Sequence, residues 1–234
     1  MGSTNLDIND TEFIEQLSNV KSLTGFRDLM KSKGAFPLDK DIIGNNANMY
    51  YFFIVVVVIV LVTDFSNKSI KNTLSSAITR KKYYFSKLIL ILVLGTILIL
   101  FNNYINYFFN LIINGNEFVT PILEFTKLSI LQLPLLYGMI SLLVCIACIF
   151  RKTSLFNTIS IPFVMVVQLI GMAIINIFKI KADWFLDYEF QFALSNLVNN
   201  PTNQYVITCT MIGIIYIIVF NVIGYYAFKK AEIK

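Results

Sequence analysis

Apolar residues in this chain gather into five runs, 47–63, 88–113, 128–150, 158–178 and 205–228. Each is long enough, or nearly so, to cross a hydrocarbon core that takes about 20 helical residues. A backbone in lipid must satisfy its own hydrogen bonds, and a barrel strand would alternate polar and apolar residues, which these runs do not. The pattern therefore predicts an all-α polytopic membrane protein with five transmembrane helices over 47–234. Ahead of them, 1–46 is polar and of mixed charge; within it Phe13, Leu17 and Val20, then Phe26, Leu29 and Met30, suggest short amphipathic helices broken near Gly25. Pro134 and Pro162 lie inside runs and predict kinks, since each removes a backbone donor. Tyr50, Tyr51, Tyr83, Tyr84, Tyr225 and Tyr226 lie near run ends, where an aromatic belt is expected.

Two of the intervals between runs carry a helical period of their own. In 179–204, Leu186, Phe190, Ala193, Leu194 and Leu197 recur at helical spacing, which predicts an amphipathic helix at the outer interface or a binding lid. In 64–87, Ile70, Leu74, Ala77 and Ile78 share one face while Lys71, Asn72 and Ser75 take the others. Such a helix buries its apolar stripe against a protein or rests it on lipid headgroups, and periodicity alone serves both readings equally.

Composition agrees with the membrane reading: 56% of residues are hydrophobic and 14% charged, and the mean hydropathy is +0.69, outside the range of soluble domains. Charge sets the orientation. Segments 64–87, 151–157 and 229–234 carry six, two and three Lys/Arg, eleven in all, against three in 114–127 and 179–204. The positive-inside rule makes the first set cytoplasmic, with the C-terminus inside and 1–46 outside. The net charge of +5 then needs no nucleic acid, because the excess lies beside anionic membrane lipids.

The candidate chemistry is sparse. The chain has no histidine, which removes imidazole bases, His relays and HExxH zinc sites; no metal site, cofactor or catalytic residue is expected. Cys145 and Cys148 have CxxC spacing but lie within a run, as Cys209 does in another, and read as small apolar packing. The runs contain no Asp, Glu, Lys or Arg, which argues against proton or ion coupling. The second run does hold amides at i+4 spacing: Asn102, Asn106 and Asn110, with Asn103 beside them. That stripe is either interhelical glue or the polar wall of a substrate path or dimer seam.

The run DFSNKSIKNTLSSAITRKKYYFSKL resembles the signature region of ATP-binding-cassette type-2 exporter permeases. In that family an acidic-aromatic pair ends a span and is followed by N-G-T-I-K-N, a small-residue turn, a basic residue, and a tyrosine ahead of S-K-L. Asp64-Phe65, Asn67, Ile70-Lys71-Asn72, Arg80, Tyr84 and Ser86-Lys87-Leu88 match, with Lys68-Ser69 in place of Gly-Thr. The short connection RKTSLFN and the basic end YYAFKKAEIK are also similar. The resemblance implies a permease working as a dimer with a like or paralogous second subunit, driven by two copies of a separate ATP-binding subunit. It implies that Asp64, Ile70, Lys71, Leu74, Ser75, Ile78 and Arg80 belong to a cytoplasmic coupling element. Family members have six spans with both ends inside, so a first span ahead of Met1 is expected. This chain has no GxxxxGK[ST] loop and is not itself expected to hydrolyse ATP.

The expected function is that of an exporter subunit moving an amphipathic peptide or lipid-like cargo out of the cytoplasmic membrane, as in antimicrobial-peptide export or immunity. The rival is a non-transporting anchor or sensor that presents 64–87 to a cytosolic partner. The orientation has a direct check in a background lacking the three cysteines. A cysteine at Asn116 should react with a membrane-impermeant maleimide added outside, and one at Ser75 should react only after the membrane is opened.

Overall fold

A computed structural model describes residues 38–67, 70, 78–116, 119–178, 189–199 and 202–230. Among them every regular element is helical. Helix α1 (Leu38–Gly44) runs through a 3-10 turn (Asn45–Asn48) into α2 (Met49–Val57), a π-type turn (Val58–Val62) and α3 (Thr63–Ser66). Then come α4 (Arg80–Asn114), α5 (Ile122–Leu131), α6 (Leu133–Phe150), α7 (Thr153–Phe178), α8 (Phe190–Asn199) and α9 (Asn203–Lys229).

Among the described residues, four helical stretches are long and apolar enough to cross a membrane: Ile42–Ser66, Arg80–Asn114, Ile122–Phe150 and Asn203–Lys229. The 26-residue α7 contains the remaining apolar run, 158–178, and continues through Pro162. With 35 residues, α4 extends about 50 Å and overreaches a hydrocarbon core of roughly 30 Å. Its ends are set locally. Thr79 Oγ1 accepts from Lys82 N at its start, and at its finish Gly115, at φ +86, donates its N–H to Leu111 O at 3.0 Å. Only glycine adopts that φ cheaply.

Helix α6 forms the middle of the bundle, largely buried, with α5 burying only Phe125, Leu128 and Ser129, whereas α4 and α9 show broad apolar faces outward. The kink expected at Pro134 is a break: Gln132 closes α5 and opens α6, and Pro134 occupies the first turn, where its missing N–H costs nothing. Among the described helices, α6 and α9 make the most extensive contact. Glycine lets them meet: a Cβ on Gly213 would lie 2.6 Å from the Pro134 carbonyl carbon, and one on Gly224 would lie 3.1 Å from Cys145 Cα. These glycines are eleven residues apart, about three turns, so they share a face, and small residues are what allow membrane helices to approach. Between them Asn221 donates to Ser141 Oγ at 2.9 Å and accepts from Tyr84 Oη at 3.0 Å.

At one end of the bundle, α1, the 3-10 turn and α8 pack together. Gln132, fully buried, joins them: its amide nitrogen donates to Ile43 O and Leu194 O, both at 2.9 Å, and its oxygen accepts from Asn46 Nδ2 at 2.8 Å. The helix expected within 179–204 is present as α8, and protein covers its apolar face: Ala193, Leu194, Leu197 and Val198 are all buried. Nearby, Asp39 accepts from Thr120 N at 3.1 Å, and Lys40 pairs with Glu124 at 2.9 Å. Residues 38–46, assigned to the polar segment in the sequence, thus enter the packed structure, and 42–46 already belong to the first apolar stretch.

The aromatic-belt expectation is corrected for Tyr50, Tyr83 and Tyr84, which are buried. Each hydroxyl has a protein acceptor: Ser160 O for Tyr50 at 2.9 Å, Asp64 Oδ2 for Tyr83 at 2.6 Å and Asn221 for Tyr84. A tyrosine at a span end therefore turns inward when the bundle supplies an acceptor, whereas Tyr226 remains exposed. The helix-pair geometry gives a stability test. Gly213→Ala should cost about 1–3 kcal/mol through forced separation of α6 and α9, measured by reversible unfolding in micelles. Gly44→Ala, whose Cβ would meet only Ser195 at 3.6 Å, should change stability little.

Candidate functional site

The densest polar chemistry lies at the other end of the bundle, where 64–87 leaves α3 and returns as α4. The VIVLV segment there is wound as a π-type turn. Such a turn holds one residue more than an α turn and loosens the carbonyl ladder. Two successive carbonyls in it accept from side chains: Ile59 O from Thr63 Oγ1 at 2.8 Å, and Val60 O from Lys87 Nζ at 2.9 Å. The same ammonium pairs with Asp64 Oδ2 at 2.6 Å and lies 5.6 Å from the centre of the Tyr83 ring. Tyr83 donates its hydroxyl to that carboxylate oxygen. Tyr83 and Lys87 are four residues apart, hence on one face of α4. Together they clamp the foot of the first span to the first turns of the second.

The clamp is half-sheltered, with the Asp64 and Lys87 side chains each 26% exposed. Attraction between the charges is less screened there than at an open surface, and losing either partner would strand the other. An aromatic cluster closes its inner side: the Phe228 ring stacks on Tyr83 at 5.7 Å and meets Phe65 edge-on at 6.0 Å. Two guanidinium groups finish this end by capping the last carbonyls of α9. Arg80 Nη1 donates to Lys229 O at 2.6 Å, and Arg151 Nη2 to Ala227 O at 3.0 Å. Cations at a helix C-terminus also meet the negative end of its dipole. Arg151 takes a left-handed conformation, φ +50, to end α6 there, with its Nε bonded to Cys148 O.

Of the residues expected to form a coupling element, Asp64 is in the clamp and Arg80 caps α9. Ile70 is buried, at 3% exposure, and Ile78 is 38% exposed. Lys71, Leu74 and Ser75 lie outside the described residues, as does the helix expected around them. Three participants were not expected at this site: Lys87, which stood in the sequence reading only as a motif match, Tyr83, which stood there as an interfacial aromatic, and the π-type turn itself. The first had a signal, an ammonium one helical turn after a tyrosine and opposite the only acidic residue of the segment. The turn had none, because β-branched residues are common in any membrane helix.

The amides of α4 divide into two sets. Asn102, Asn106, Asn110 and Asn114 form a ladder along their own helix: Asn106 Nδ2 donates to Asn102 O at 2.7 Å, Asn110 Nδ2 to Asn106 O at 3.0 Å, and Asn114 Nδ2 to Asn110 Oδ1 at 3.0 Å. They are half-exposed, beside exposed Phe101, Ile105, Phe109 and Ile113. Asn103 is the amide that crosses to another helix, fully buried with Nδ2 3.2 Å from Ser129 Oγ.

Cys145, Cys148 and Cys209 are buried free thiols. No group of His, Cys, Asp or Glu able to hold a metal occurs among the described residues. Comparison with family models, characterised proteins and solved structures finds no match. What the arrangement can do physically is hold two membrane helices in register at the point where the chain between them is attached. Asp64→Asn should lower unfolding stability by about 1–3 kcal/mol, since it leaves the Lys87 ammonium half-sheltered without its counter-charge. Tyr83→Phe should cost about 1 kcal/mol, and the double variant less than the sum of the two, because both act on one carboxylate.

Proposed function

We propose that this chain is the membrane subunit of an ATP-driven exporter of the type-2 permease kind. In this reading α7 is a fifth span alongside the four apolar stretches, and 64–87 lies on the cytoplasmic side. The observation that carries it is convergence. The three basic segments, separate in sequence, meet at one end of the bundle through Arg80 on Lys229 O, Arg151 on Ala227 O, and Ser66 Oγ 2.9 Å from Thr153 Oγ1. A single basic end is what insertion by the positive-inside rule requires.

The clamp supports a coupling role for the segment between Asp64 and Lys87. Because both feet of the segment are tied to each other, force applied to it reaches the first and second spans together. Ile70 is buried against this chain's own core and so anchors the segment's apolar stripe from within, leaving Leu74, Ala77 and Ile78 for the groove of a separate ATP-binding subunit, present in two copies, with Lys71 and Arg80 at the rim and Ser75 beside it. A second permease subunit, like or paralogous, completes the transporter. The cargo is an amphipathic peptide or lipid-like molecule drawn from the bilayer, in keeping with the apolar faces of α4 and α9 and with the amide stripe Asn102, Asn106 and Asn110 as a path or seam.

Leu74→Asp tests this reading because it places a charge in the docking stripe without touching a span. The wild-type chain should co-purify with an ATP-binding subunit, and the variant should lose that partner and cargo-stimulated hydrolysis at unchanged membrane yield. A wild-type chain that brings down no ATP-binding protein, or a variant that retains both partner and transport, would sink it.

A further inference from the structure

The π-type turn and the clamp describe one object. Residues Val58–Val62 hold the extra residue of a wide turn, and the groups that serve its loosened carbonyls are Thr63 and Lys87. Lys87 is in turn held by Asp64, just below the turn. Rewinding the turn as α-helix would rotate everything after it by roughly 100° and lengthen the helix by about 1.5 Å, one residue's share of each. Asp64 would then leave the face that meets Tyr83 and Lys87. The wide turn and the closed clamp must therefore form together and be lost together.

We propose that Val58–Val62 is a two-register hinge in the first span. With the clamp closed it is wound as a π-type turn, and with the clamp open it is wound as α-helix, turning the foot of the span against α4 and α7. Its sequence allows both states: VIVLV has no glycine or proline to break a helix, and no side-chain polar group in the turn fixes either form. The selecting interactions come from outside the turn, so a displacement of the chain beyond Asn67 biases the register by opening or closing the clamp. The use of this hinge in transport rests on the exporter reading; its existence does not.

Ser66 reports the register. Beyond the hinge, its hydroxyl lies 2.9 Å from that of Thr153 at the start of α7, and a rotation of about 100° would carry it away. In membranes containing the full chain with Cys145, Cys148 and Cys209 replaced by alanine, Ser66→Cys with Thr153→Cys should cross-link readily under mild oxidation. Adding Lys87→Met should slow the cross-link about tenfold or more by releasing the hinge to α, while Lys87→Arg should retain most of it. Deleting Ile59 in the Lys87→Met background should restore the rate, because a helix one residue shorter returns Ser66 to its place in the α form. An unchanged rate in Lys87→Met would overturn the hinge. So would a slowed rate that the Ile59 deletion does not rescue, since that marks general loosening and not rotation. No ATP-binding subunit is required, so the result stands apart from the fate of the transport assignment.

Discussion

Hydrocarbon offers no partner to a polar group, and much of the organisation of this bundle follows from where such groups find one inside the protein. Three solutions recur. Some groups bond along their own helix, as in the Asn102 to Asn114 ladder and the hydroxyls of Thr96, Thr126 and Thr208, each bonded to the carbonyl four residues back. Others pair across helices, as Asn221 does with Ser141 and Tyr84. The rest gather at the two ends. Gln132 joins three backbone segments at one, and the Asp64–Lys87 clamp joins two spans at the other.

The two ends are built differently. At the Gln132 end the central bonds are neutral amide contacts, fully buried, joining short helices to the break in the central span, while the Lys40–Glu124 pair lies exposed beside them. Neutral bonds of this kind are directional and unaffected by salt, which suits a structural lock. The opposite end uses charges at partial exposure, where salt screens the attraction more than it would in a fully buried site. Between the two ends, α6 and α9 pack nearly backbone to backbone through Gly213 and Gly224, a contact that resists sliding because any added atom meets a main chain. A rigid central pair with a charged, rewindable foot on a neighbouring span divides the molecule into a part that stays and a part that turns.

The exporter reading and the hinge meet at Lys87. In the sequence this residue is one cation among six in a basic segment; in the fold it touches a main-chain carbonyl of the preceding span, a carboxylate and an aromatic ring together. Its neighbours Arg80 and Arg151 serve α9 instead. The basic segment is thus tied down at its base to two different helices, first through Lys87 and Asp64 and then through Arg80.

Periodicity, run length and charge sufficed for the helical class, for placing four apolar runs within helical stretches long enough to cross a membrane, and for the grouping of the three basic segments. These follow from local physics: the length of a helix that crosses lipid, the absence of water to satisfy a strand edge, and the asymmetry of insertion. The amphipathic helix Phe190–Asn199 was legible for the same reason, since its stripe of Ala193, Leu194 and Leu197 is written at i, i+1 and i+4. What covers a stripe is not local, and only the fold shows α8 against α1. Likewise Tyr50, Tyr83 and Tyr84 read as interfacial anchors until the acceptors Ser160 O, Asp64 and Asn221 are brought beside them across gaps of 110, 19 and 137 residues. The π-type turn at Val58–Val62 lay beyond the sequence altogether. β-branched residues wind equally into either turn, and the choice is made by a lysine on another helix whose reach depends on how the two spans pack.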